Sequence, residues 1–88
     1  MTRLENWFIT RDERLSGNVY SYPNDRHWDG KEVLTSQIVN LDNDMKTAIT
    51  KSGTIYHLGT PTSDYVEYLL ATNMPSGKIL KARLNNNN

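Results

Sequence analysis

The sequence predicts a mainly β protein: a small, strongly curved antiparallel sheet or SH3-like barrel of five to six strands, with one short helix near residues 63–72. Three observations carry that expectation. Val33 to Leu41, Met45 to Thr50 and Thr54 to Leu58 are alternating or β-branched, and the turn-forming clusters Asp42-Asn43-Asp44 and Lys51-Ser52-Gly53 separate them as a meander. Two further strand-like segments precede them, around Trp7-Phe8-Ile9 and over Leu15 to Tyr22. After Gly59 the apolar period changes from that of a strand to that of a helix.

Each element has its own justification. Trp7, Phe8, Ile9 and Thr10 favour a pleated surface over a helix, and Arg11-Asp12-Glu13-Arg14 makes a charged turn after them. In the next strand Leu15, Gly17 and Val19 share one face and Tyr20 and Tyr22 the other, with Gly17 marking a bulge or a close backbone approach. Pro23, which has no N–H for a ladder, ends that strand. Asn24 to Lys31 is a polar loop closed by the turn signal Asp29-Gly30. Val33 and Thr35 have one parity and Ile38 the other, so a bulge around Thr35-Ser36-Gln37 is required to bring these side chains to one core. Tyr56 and Leu58 share a face opposite Ile55 and His57. Pro61 suits the start of a helix, Asp64 and Glu67 resemble a capping box, and Val66, Leu69 and Leu70 form an apolar stripe widened by Tyr65 and Tyr68. Pro75-Ser76-Gly77 reads as a turn, and Ile79 to Leu84 as a closing strand with Leu80, Ala82 and Leu84 inward. Residues 1–84 therefore form one small β domain, and 85–88 are expected to be a disordered asparagine tail.

Eighty-eight residues support only a thin core, because a chain of this size buries about 60–65% of the surface exposed on unfolding. Ten basic and ten acidic side chains give zero net charge, which argues against a dedicated nucleic-acid binder. Without cysteine there is no disulfide, thiolate metal site or thiol nucleophile. A leader-like N-terminus and a long apolar span are both missing from the sequence, and a cytoplasmic location is the expectation.

A wider pattern joins several of these residues: Gly17-Asn18-Val19, Asp29-Gly30, Val33, Thr35-Ser36, Ile38-Val39, Thr50, Ser52-Gly53, Tyr56 and Leu58-Gly59. It resembles a motif run, Gly-x-Val, Asp-Gly, Val-x-Thr-Ser-x-Ile-Val, Thr-x-Ser-Gly, Tyr-x-Leu-Gly, of a widespread group of short, largely uncharacterised proteins of phages and other mobile elements. The resemblance covers about residues 17 to 70. It implies a small host-interference factor that binds a host protein or sequesters a signalling nucleotide. The glycines and the Thr-Ser pair also have architectural explanations, as turns and a bulge.

The chain has no P-loop, dinucleotide fingerprint, Gly-x-Ser-x-Gly or His-Glu-x-x-His motif, so the expectation is a protein that is not an enzyme and needs no cofactor or metal. His27, beside Asp25 and Asp29, reads either as a metal corner or as a solvated loop histidine, and His57 as a surface or interface residue. Arg26-His27-Trp28 is the most suggestive cluster, offering charge, hydrogen bonding and stacking to an anionic planar ligand or a protein partner. The plainer reading has Trp28 folding back to cap a thin barrel. Thr35 and Ser36 either add hydroxyl donors to that patch or satisfy the bulge by side chain to backbone bonds. Tyr20, Tyr22, Tyr65 and Tyr68 exceed what one small core requires and point to self-association into a homo-oligomer. The favoured reading is a non-enzymatic, oligomeric binding protein acting on a host protein or a small nucleotide ligand. The alternative is a small nucleic-acid-binding β-barrel that uses Lys78, Lys81 and Arg83.

Overall fold

The computed structural model describes residues 2–21 and 30–85. Five strands form a closed barrel: β1 (Thr2–Ile9), β2 (Arg14–Ser21), β3 (Lys31–Leu41), β4 (Thr47–Thr50) and β5 (Ile55–Leu58), followed by α1 (Ser63–Ala71) and α2 (Pro75–Asn85). Neighbours along the chain pair antiparallel, and β1 closes the ring by pairing parallel with β5 through Thr2↔Tyr56, Arg3↔His57 and Leu4↔Leu58. The sheet is therefore mixed, where the sequence suggested antiparallel pairing throughout. The reason is parity: in an up-and-down run of five strands the first and last point the same way, so closure has to be parallel.

Bulges bring the apolar side chains to one interior. Between Glu5↔Asn18 and Phe8↔Ser16, β1 uses one more residue than β2, and Asn6 takes up the left-handed conformation at φ 49°. Leu4 and Trp7, three apart, would otherwise face opposite sides; both are fully buried. Gly17 lies across from this bulge, where a Cβ would come within 2.9 Å of the Glu5 carbonyl oxygen and the Leu4 side chain. The close backbone approach expected at Gly17 is real. On β3 the extra residue falls between Leu34 and Gln37, as the parity of Val33, Thr35 and Ile38 requires. Thr35 is buried, and its hydroxyl accepts from the Leu15 N–H (3.0 Å) and donates to the Ser36 carbonyl (2.7 Å).

Met45 belongs to the turn rather than to β4. It is buried at φ 58°, and the turn is tied by Met45 N–H to the Asp42 carbonyl (2.9 Å). The cap of α1 is Thr62, two residues ahead of the Asp64–Glu67 pair read as a capping box. The Thr62 hydroxyl accepts from the Tyr65 N–H at 3.2 Å. Pro61 precedes the cap, buried and bridged in parallel to Trp7.

The predicted sixth strand does not form. Ile79 to Leu84 lies within α2, and Pro75-Ser76-Gly77 is that helix's first turn. Proline suits the first helical position, and Lys, Leu, Ala and Arg are all good helix formers. Gly77 reads as a breaker, yet it is buried where α2 meets α1, and a Cβ there would lie 2.8 Å from the Leu70 nitrogen. Leu80 is inward as expected, whereas Ala82 is exposed. The two helices are joined by a Schellman motif: Asn73, at φ 58°, donates to the Leu70 carbonyl (3.1 Å) and Met74 to that of Leu69 (2.9 Å). The core comprises Leu4, Trp7, Leu15, Val19, Met45, Ala48 and Leu58 of the barrel with Val66, Leu69 and Leu80 of the helices.

Leu80→Ala is expected to cost about 2–4 kcal/mol in urea unfolding, since it empties a fully buried site. Ala82→Glu is expected to stay within about 0.5 kcal/mol, as a surface helical position should. A cost of several kcal/mol at Ala82 as well would return residues 79–84 to a strand with both side chains inward.

Candidate functional site

An apolar groove lies where the end of β1 meets α1. The β1 bulge that turns Trp7 inward leaves Phe8 outward, 38% exposed. Tyr65, at the third position of α1, leans against both rings, with centroids 6.0 Å from Trp7 and 6.5 Å from Phe8 in tilted geometry. One turn on, Tyr68 is 59% exposed, and Met74, placed by the Schellman motif, is 47% exposed.

Three clefts share lining residues here. One of about 360 Å³ is lined by Phe8, Thr62, Asp64 and Tyr65. A second, of about 280 Å³, shares Tyr65 and adds Ile9, Arg11, Tyr68 and Met74. A third, of about 320 Å³, shares Ile9 and continues along Ile38, Val39 and Leu41 to Glu13. The charged residues lining these clefts are Asp64, Arg11 and Glu13. Burial, and secondarily the adjacent Tyr68, raise the Tyr65 hydroxyl above its ordinary pKa of 10.0; burial likewise raises Tyr56.

The four tyrosines singled out from the sequence part company. Tyr65 and Tyr68 share the groove. Tyr20 lies elsewhere, with the Arg3 guanidinium 5.0 Å from its ring centroid, and Tyr22 falls outside the described residues. Phe8, Ile9 and Met74 are groove residues that sequence reasoning did not assign. The Trp7-Phe8-Ile9 triplet was visible, but its split between core and surface depends on the Asn6 bulge.

Arg26, His27 and Trp28 lie outside the described residues. Thr35 is held by the two bonds already given, and the Ser36 hydroxyl accepts from the Ser52 N–H at 3.1 Å. Both hydroxyls are thus engaged in holding β3 to the strand and turn on either side of it. His57 is half-buried on β5, and among the described residues no group of three His, Asp or Glu side chains is placed to hold a metal. No helix among them is long and apolar enough to cross a membrane.

The basic trio separates as well. Lys78 and Lys81 are exposed on α2, but the Arg83 guanidinium turns into the end of the barrel. It donates to the carbonyls of Met45 (2.7 Å), Leu58 (3.1 Å) and Gly59 (3.3 Å). No family model, curated protein or solved structure matches this chain.

Arg83→Met is expected to lower the unfolding free energy by about 2 kcal/mol, because three partly buried carbonyls lose a charged donor. Lys78→Met and Lys81→Met are expected to change it by less than about 0.5 kcal/mol. Equal effects at all three would make Arg83 an ordinary surface cation. A second expectation concerns alkaline pH. A raised tyrosine pKa in the folded state contributes stability that is intact below the unfolded value near 10.0 and is lost as pH rises through the folded value. The Tyr56→Phe, Tyr65→Phe double variant should therefore lose less stability between neutral and strongly alkaline pH than the wild type, as urea titrations at both pH values will show.

Proposed function

We propose that this protein is a non-enzymatic binding module that works as a homo-oligomer, with the aromatic groove between β1 and α1 as its self-association surface. The observation that carries the reading is the grouping of exposed Phe8, Tyr68 and Met74 around clefts that share Tyr65, the second of which shares Ile9 with the third. Exposed aromatic and thioether side chains around neighbouring clefts are the composition that interface cores favour. A neutral chain also has no long-range repulsion between copies to overcome.

The motif run from Gly17 to Gly59 supports a phage or mobile-element origin and a cytoplasmic role in host interference. The polar segment bearing Arg26, His27 and Trp28 supports capture of a host protein or a small anionic nucleotide, because a guanidinium and an indole together recognise charge and planar rings. The nucleic-acid reading keeps only Lys78 and Lys81 as exposed cations of its trio, with Arg83 occupied by backbone carbonyls.

Sedimentation velocity over a wide concentration range tests the reading. The wild type should reach a dimer or higher oligomer, and Tyr68→Arg should hold it monomeric while leaving the melting temperature within a few degrees, because Tyr68 is mostly exposed. A wild type that remains monomeric throughout would remove the self-association claim.

A further inference from the structure

We infer that Arg3 and His57, side by side across the β1–β5 seam, form a binding site for the terminal phosphate of a small molecule. Neither residue lines the aromatic clefts, so the site stands whether or not copies of the chain associate.

Strand register builds the site. Arg3 lies opposite Tyr20 of β2 on one side and opposite His57 of β5 on the other. Their chain neighbours Leu4, Val19 and Leu58 are buried, so Arg3, Tyr20 and His57 turn to the outer face of the barrel. Adjacent strands are about 4.8 Å apart, a spacing that one small tetrahedral group can bridge.

Two contacts orient the Arg3 guanidinium. Its central carbon lies 5.0 Å from the Tyr20 ring centroid, and its Nε is 2.9 Å from Glu5 Oε2. Glu5 Oε1 accepts from the Thr60 N–H at 2.7 Å, so that carboxylate is tied to the seam and holds Arg3 from the Nε side. The outer edge, Nη1 and Nη2, is left as a fork on a side chain that is 50% exposed. No other described residue accepts from that edge, and none bonds the His57 imidazole.

The donor set selects the ligand. A guanidinium edge gives two parallel N–H bonds, and an imidazole gives one more. Three converging donors call for three acceptor oxygens on one centre. A carboxylate or a phosphodiester offers two free oxygens, whereas a terminal phosphate offers three. Glu5 offsets the charge of Arg3, so affinity here comes from directed hydrogen bonds rather than from net charge.

Titration with inorganic phosphate, followed by proton–nitrogen NMR at fixed pH and ionic strength, reads the site. The Arg3 side-chain N–H and the backbone signals of Arg3 and His57 should shift saturably. Dimethyl phosphate and acetate should bind about threefold more weakly or worse, each lacking one acceptor. Arg3→Gln should weaken phosphate binding about tenfold and His57→Phe about threefold. Lys78→Met, at an exposed cation on α2, should leave it unchanged. Circular dichroism melts verify that each variant is folded; if Arg3→Gln unfolds through loss of the Glu5 pair, His57→Phe decides. Acetate binding as tightly as phosphate, or phosphate affinity indifferent to these substitutions, would overturn the site. A wild type blind to phosphate does so too, and leaves self-association to be judged by sedimentation alone.

Discussion

A ring of five strands has one seam, and here everything depends on the segment from Ile55 to Thr62 lying along β1. The ladder of three residue pairs between β1 and β5 is too short to hold the seam alone. It is extended by the Gly59 N–H on the Leu4 carbonyl (2.8 Å), the Thr60 N–H on the Glu5 carboxylate (2.7 Å) and the Thr62 N–H on the Trp7 carbonyl (2.9 Å). The Gly59 carbonyl accepts from the Trp7 indole N–H (3.0 Å) on one side and from Arg83 on the other. A Cβ at Gly59 would meet the Glu5 carboxylate, which pairs with Arg3 at 2.9 Å and accepts from the Thr60 N–H, so a side chain there would displace that contact. Buried backbone polar groups must find partners, and the seam finds them from three different elements.

The two helices complete the core that the barrel begins. Leu69 and Leu80 join Met45 and Leu58 in one buried cluster, and the Arg83 guanidinium donates to the Met45 and Leu58 carbonyls. Gly77 lets α2 approach α1 closely. A sixth strand in place of α2 would have had no edge to pair with, since β1 and β5 already pair with each other.

Much of this was legible in the residues. The meander, the bulge at Thr35 to Gln37, the inward face of Leu15, Gly17 and Val19, and the Val66–Leu69–Leu70 stripe follow from local periodicity, which tertiary structure here obeys. The misreadings have a common cause. Pro75, Gly77 and Met45 are judged by local propensity, yet the outcome is decided by distant contacts: at Gly77 by α1 and at Met45 by the core. The basic trio divides for the same reason, because Arg83 is drawn inward by carbonyls that no sequence window contains. The groove was half legible: Tyr65 and Tyr68 stood out by number, whereas Phe8 and Met74 became surface residues only through a bulge and a helix cap.

That origin gives the groove its physical character. Phe8 faces outward because the phase shift at Asn6 commits Trp7 to the core, and Tyr65 cannot move freely because it rests on both rings. Met74 is held by the Schellman hydrogen bonds that end α1. The aromatic floor is thus fixed by the same contacts that close and cap the barrel, so ordering it on association costs little conformational entropy. A thin core that spends a tryptophan on its interior and leaves the adjoining phenylalanine on its surface has built a rigid apolar face as a by-product of folding, and such a face is stabilised when water is removed from it.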